Sequence, residues 1–184
     1  LNAASLAAFD VVKEVEKKYP DCGVEIYNIF SKDMEKALKE WAYDFVIGPM
    51  ADLSKNVDYD LMYRDFYVLV VPKRYDLETY AEYGEQGSFP VIDMKKLPPM
   101  DYIFQDETTF VRKGINRILE KQKLSIAPRL VVTSSTLALQ AAENGFGCCI
   151  VSTGHLAYLN QSANLKVYLI KGEETSSCGV AYLH

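Results

Sequence analysis

LVVTSSTLALQAAENGFGCCIVS, residues Leu130–Ser152, packs two changes of element into one short segment. Val131 and Val132 end an apolar run and read as the close of a strand. Thr133, Ser134 and Ser135 follow, hydroxyls of the kind that cap a helix by accepting a backbone N–H bond. Leu137, Ala138, Ala141 and Ala142 then recur at helical spacing. Asn144-Gly145 ends the helix with the residue types that best tolerate a left-handed backbone. Gly147 opens Cys148-Cys149-Ile150-Val151, an apolar run too short for a helix and bounded by turn residues, hence a buried strand. This strand–helix–strand unit has a polar helix N-terminus, where a small molecule can dock on backbone N–H groups.

Upstream, the same alternation repeats. Ala8, Val11, Val12, Val15 and Tyr19 recur at helical spacing, with Lys13, Glu14, Glu16, Lys17 and Lys18 on the other face, so an amphipathic helix runs to Pro20. Val24, Ile26 and Asn28 alternate with Glu25 and Tyr27 as a strand does. Ser31 caps a second helix, Asp33 sits in its first turn where the dipole favours a carboxylate, and Met34, Ala37, Leu38 and Trp41 form its buried stripe. Asp44–Gly48 is a short strand. Helix, strand, helix, strand in that order predicts parallel crossovers and a doubly wound α/β sheet covered on both faces.

Further on, Asp52–Asp60 is polar and reads as loop, while Tyr67–Val71 is an apolar strand stopped by Pro72. Tyr75–Gln86 reads as a helix or an excursion, and Gly87–Met100 as a loop with one helical turn around Met94–Leu97. Tyr102–Phe104 is a strand and Gln105–Thr109 a polar turn. Thr108 or Thr109 then opens a helix whose Val111, Ile115, Ile118 and Leu119 face the core. After Ser152 come a short helical piece (Thr153–Leu159), a strand at Leu165–Ile170 and a last strand at Gly179–Leu183.

At 184 residues, 49% hydrophobic and 24% charged, the chain has the make-up of a globular protein with one large or two small lobes. A net charge of −5 gives no basic footprint for nucleic acid, so any DNA contact belongs to a segment outside it. Cys22, Cys148, Cys149 and Cys178 form no CxxC pair and have no histidine at ligand spacing, which predicts reduced thiols, no metal and a cytoplasmic setting. Cys148 and Cys149, adjacent in a strand, point to opposite faces. No apolar run approaches the roughly 20 residues of a membrane span, and no signal peptide is visible. No phosphate or dinucleotide loop occurs, since Gly145-Phe146-Gly147 follows a helix instead of preceding one, and no cofactor is expected. Ser134 or Ser152 near His155 in sequence makes no catalytic triad, and His155 reads as the first-turn residue of a surface helix. A binder, not an enzyme, is the expectation.

Four ordered segments resemble one family. They are FDVVKEVEKKYPDCGVEIYN, SKDMEKALKEWAYDFVIGPM, LMYRDFYVLVVPKRYDL with VIDMKKLPPMDYIF, and the Leu130–Ser152 unit itself. Together they are similar to the effector-binding domain of LysR-type transcriptional regulators. Trp41-Ala42 stands where that family usually has a glycine. The resemblance implies two Rossmann-like α/β lobes joined by two hinge strands, the type II periplasmic-binding-protein-like fold. Residues 1–67 would form lobe one, to which the chain returns at 180–184, and 68–179 lobe two, with hinge crossings at Tyr67–Val71 and Gly179–Leu183. A full-length member begins with a winged helix–turn–helix domain, so these residues read as an excised or truncated regulatory domain.

By the same resemblance a small-molecule effector sits between lobes, against helix N-termini and strand ends. Ligands of open α/β sheets do bind outside the carboxyl ends of strands. The positions implied are Asn2 and Ser5 after the first strand, Ser31 at the second helix, Gly48 after a strand, Gln105, Asp106 and Thr108 before the third helix, and Thr133 before the fourth. The family also implies a homodimer or tetramer that reaches DNA only through the N-terminal domain. An extracytoplasmic solute-binding protein of a transporter shares the fold and is the alternative.

Overall fold

The computed structural model describes residues 3–50, 53–84, 88–159, 164–172 and 176–183. In chain order they form α1 (Ala3–Lys18), α2 (Met34–Lys39), β1 (Phe45–Pro49), β2 (Val57–Asp65), β3 (Tyr67–Pro72), β4 (Ala81–Glu82) and β5 (Val91–Ile92). Then follow β6 (Tyr102–Gln105), α3 (Phe110–Gln122), β7 (Leu130–Val132), α4 (Ser135–Glu143), β8 (Cys148–Ser152), β9 (Leu165–Ile170) and β10 (Ser176–Leu183). The chain divides into two compact units, Leu1–Arg64 with Ser176–His184, and Asp65–Thr175.

The first unit holds a three-stranded sheet in the order β1-β10-β2. Met34, Leu38, Val46, Met50, Val57 and Ala181 form its buried core. Among the described residues the parallel crossover expected here does not form. β1 pairs antiparallel with β10, Phe45 opposite Tyr182 and Pro49 opposite Cys178, because its neighbour is the returning chain and not the next strand. Nor do Val24, Ile26 and Asn28 make a strand; residues 22–30 take no regular structure, and alternation with no partner strand does not hold one. Conversely, Val57–Asp60 is the start of β2 and not loop. Asp58 and Asp60 make it look like loop, yet on an edge strand open to solvent carboxylates are at home.

Ser31 opens a 3-10 turn (Ser31–Asp33), and no side chain caps either that turn or α2. Trp41 does not join the buried stripe: it is 77% exposed. It occupies the left-handed position just past α2, at φ 55°. There its N–H bonds Leu38 O while the Ala42 N–H bonds Ala37 O, the paired closure of a Schellman end.

The second unit is a seven-stranded mixed sheet in the order β4-β5-β9-β3-β8-β6-β7. Every residue of β3 and β8 is buried, as expected for central strands between two helical layers. α3 packs Ile115, Ile118 and Leu119 on one face, and α4 packs Ala138, Leu139 and Ala142 on the other. α3 carries the chain outward from β6 to β7 and α4 brings it back past β6 to β8. Right-handed crossovers in opposite directions place their helices on opposite faces. Leu137, expected inside, is exposed, because the inward spacing is Ser135, Ala138, Leu139, Ala142.

Cys148 and Cys149 fall in the cores of opposite faces, and with Cys178 they are buried. Burial pushes the Cys148 thiol up to about 12 and also raises that of Cys149, so both stay protonated.

Candidate functional site

β6 runs parallel to β7 (Gln105 opposite Val132) and to β8 (Ile103 opposite Cys149), so these strands end at one edge of the second unit's sheet. A helix or helical turn starts after each. After β6, Asp106 Oδ1 accepts from Thr108 N (3.0 Å) and Thr108 Oγ1 (2.7 Å), and Asp106 N donates to Val132 O (2.7 Å). Thr109 caps α3: its Oγ1 accepts from Arg112 N at 3.2 Å and donates to Asp106 O at 2.8 Å. Ser134 caps α4, accepting from Leu137 N at 3.2 Å. The N–H groups of Phe110, Val111, Ser135 and Thr136 have no intrahelical acceptor, and two positive helix ends meet this edge.

Gln105 lies under the start of α4, with no surface exposed. Its Nε2 donates to Ser135 Oγ and Ile150 O, both at 3.2 Å. A carbonyl needs a donor, which fixes the amide this way round, and Oε1 is then buried with no partner among the described residues. On the α3 face, Arg112 is 8% exposed. Its guanidinium donates to Gln105 O (3.0 Å), Asn116 Oδ1 (2.7 Å) and Glu107 Oε1 (2.9 Å), and sits 4.9 Å from the Phe104 ring centre.

After β8, Thr153 Oγ1 and Gly154 N donate to the buried Asp65 Oδ1 at 2.6 and 2.7 Å. Ser152 Oγ lies 2.9 Å from His155 Nδ1. His155 is half-buried, not a surface residue; burial holds its imidazole below the ordinary range while Asp65 pulls the other way. Ser152 is itself buried, and Asp65 spends its oxygen on Thr153 and Gly154, so the pair ties a turn together and presents no open nucleophile.

Of the positions implied by sequence, Gln105, Asp106, Thr108 and Thr133 come together at this edge. Ser31 and Gly48 belong to the first unit. Gly48 lies inside β1 instead of after it, opposite Gly179. A Cβ there would come within 2.9 Å of Met34 Sδ, so the position serves packing. Asn2 lies outside the described residues, as does the side chain of Ser5. Sequence reasoning missed Arg112, although an arginine three residues before Ile115 on the inward stripe was the available signal. Among the described residues no group of side chains suits a metal ion, and no helix is long and apolar enough to cross a membrane.

Residues 3–184 match the family described as LysR substrate binding domain. The chain belongs to that family. Among solved structures, the LysR-fold likeness is strong in shape and weak in sequence. The Synechocystis PCC6803 CcmR regulatory domain, in complex with 2-PG, gives a TM-score of 0.81 at 16% identity over 98% of this chain and 83% of that one. The effector binding domain of QuiR, in complex with shikimate, gives 0.77 at 17% over 96% and 80%. An uncharacterized HTH-type transcriptional regulator of Methanocaldococcus jannaschii is 28% identical over 146 residues, 77% of this chain. This LysR domain spans 46% of that relative's length. Its fold class is the two-lobed α/β, periplasmic-binding-protein-like one that the resemblance implied.

Proposed function

We propose that this LysR substrate binding domain is the effector sensor of a transcriptional regulator, and that it takes its effector at the carboxyl edge of β6, β7 and β8. Gln105 carries this reading: a fully buried amide whose Oε1 is unpartnered, beneath the place where two capped helices begin. Buried acceptors are rarely left so, and the exceptions gather at functional sites. Helix N-termini and the Arg112 guanidinium favour a small molecule with one anionic group, while Asp106 and Glu107 disfavour a second. The solved relatives holding 2-PG and shikimate, and the HTH-type relative, support a regulator over a transporter's binding protein.

The domain then acts in the cytoplasm, without catalysis, as a homodimer or tetramer. It passes its ligand state to a DNA-binding domain through a shift in conformer populations. A thermal-shift panel of small carboxylic and phosphorylated acids tests the site. An effector at one hundred times its Kd stabilises the folded state by about 2.7 kcal/mol. Thr108→Val and Thr133→Val, both exposed and neither a cap, should each erase the shift and leave the unliganded melting temperature in place. A shift that survives both substitutions puts the ligand elsewhere.

A further inference from the structure

Two carboxylates stand on the turn between β6 and α3, and they are held very differently. Asp106 is locked to its own turn, with Oδ1 accepting from both Thr108 N and Thr108 Oγ1. The Glu107 side chain is 73% exposed and accepts one hydrogen bond among the described residues, from Arg112 Nη2 at 2.9 Å. Its partner is the reverse case. The Arg112 side chain is 10% exposed, with Nε bonded to Asn116 Oδ1, Nη1 to Gln105 O and the guanidinium over the Phe104 ring.

A buried cation needs a counter-charge, because taking its partner away leaves the charge alone in a poorly solvated place. An exposed carboxylate has no such need, since water solvates it nearly as well as the pair does. The pair is therefore asymmetric. Arg112 must keep an anion, but nothing around it requires that anion to be Glu107.

We infer that Glu107 is a tethered competitor for the effector: its carboxylate holds Arg112 Nη2 in the absence of ligand and yields the guanidinium to an anionic group of the ligand. This rests on the effector site proposed above and adds its control. Exchanging one carboxylate for another anion keeps the buried charge paired, whereas a neutral ligand leaves it unpaired, so the contact selects for anions. The tether also weakens each ligand that must displace it, in proportion to how far the closed pair outweighs the open one. Asp106, tied to Thr108, cannot take this part.

Acetate is the probe, titrated into the 184-residue chain while two-dimensional NMR follows the Phe110 and Val111 amides and Arg112 Nε. Glu107→Gln removes the charge and keeps a side-chain acceptor. Glu107→Asp keeps the charge and withdraws it from Arg112 by one methylene. Both should tighten acetate about fivefold, the weight of an ion pair with one exposed partner. Acetamide should leave these signals in place in the unsubstituted chain. Failure of either variant to tighten acetate overturns the inference. Unchanged or weaker binding in both marks a structural role, and a gain confined to Glu107→Gln marks repulsion without exchange. Acetamide that binds as acetate does overturns it too, and in all these cases the effector site stands. Acetate that moves none of the followed signals in any of the chains sinks the site and the inference together.

Discussion

Gln105 shows how one side chain can bind two elements and still hold something in reserve. Its amide spans α4 and β8 through Ser135 and Ile150, and its remaining acceptor waits. Gln105→Met keeps the shape and leaves two buried polar groups without a donor, while relieving the idle oxygen. The net cost should be about 1–2 kcal/mol in urea unfolding. Gln105→Glu should cost more at neutral pH, because it sets a carboxylate against the Ile150 carbonyl, and the two variants should draw together in acid as that carboxyl protonates. Much of this site was legible, since Gln105, Asp106, Thr108 and Thr133 all stand where an apolar run gives way to hydroxyls before a helix. The caps are Thr109 and Ser134, each one of the adjacent hydroxyls the sequence offers for that role, and which of them caps depends on backbone dihedrals that residue type does not set. Arg112 was passed over because an arginine in a helix reads as solvated, although its place on the inward stripe with Ile115 pointed to the burial that the Phe104 and Gln105 contacts show.

Three helices close with the same paired hydrogen bonds, and three different residues hold the left-handed position. Gly145 does so after α4 at φ 78°, Lys123 after α3 at 56° and Trp41 after α2 at 55°. A side chain with a Cβ costs about 1–2 kcal/mol there, and glycine gives back about 0.5–1 kcal/mol through its freer unfolded chain. Lys123→Gly should therefore raise stability by about 0.5–1 kcal/mol. Gly145→Ala should lower it by a similar amount, and paired thermal melts would show the opposite signs. The same contrast explains which elements could be read from sequence. α3, α4 and β8 carry their own signals, a helical period with caps or an unbroken apolar run. β2 and residues 22–30 do not, because whether an alternating segment becomes a strand depends on a partner far along the chain. β10 supplies that partner to β2, and no described strand supplies one to Val24–Asn28.

At the scale of the whole molecule, two cores of unequal size share one chain. The second unit buries both faces of a seven-stranded sheet, whereas the first relies on a small cluster around Leu38 and Val46. A smaller core offsets less of the chain entropy of ordering, so the first unit should open first. Native-state hydrogen exchange should give β1 and β10 opening free energies at least about 2 kcal/mol below those of β3 and β8. Acid should widen the gap. Hydrogen bonds from Lys39 and from Ser54 hold the Glu35 carboxyl at about 2, below its ordinary 4.5. A carboxyl lowered by folding contributes stability that is full above its unfolded value and fades as pH falls through the folded one. That contribution belongs to the first unit and should be lost between about pH 4.5 and 2, and Glu35→Gln should flatten this acid limb without touching β3 or β8. Equal protection in both units, or an acid limb that Glu35→Gln leaves intact, would mean that the two cores open as one.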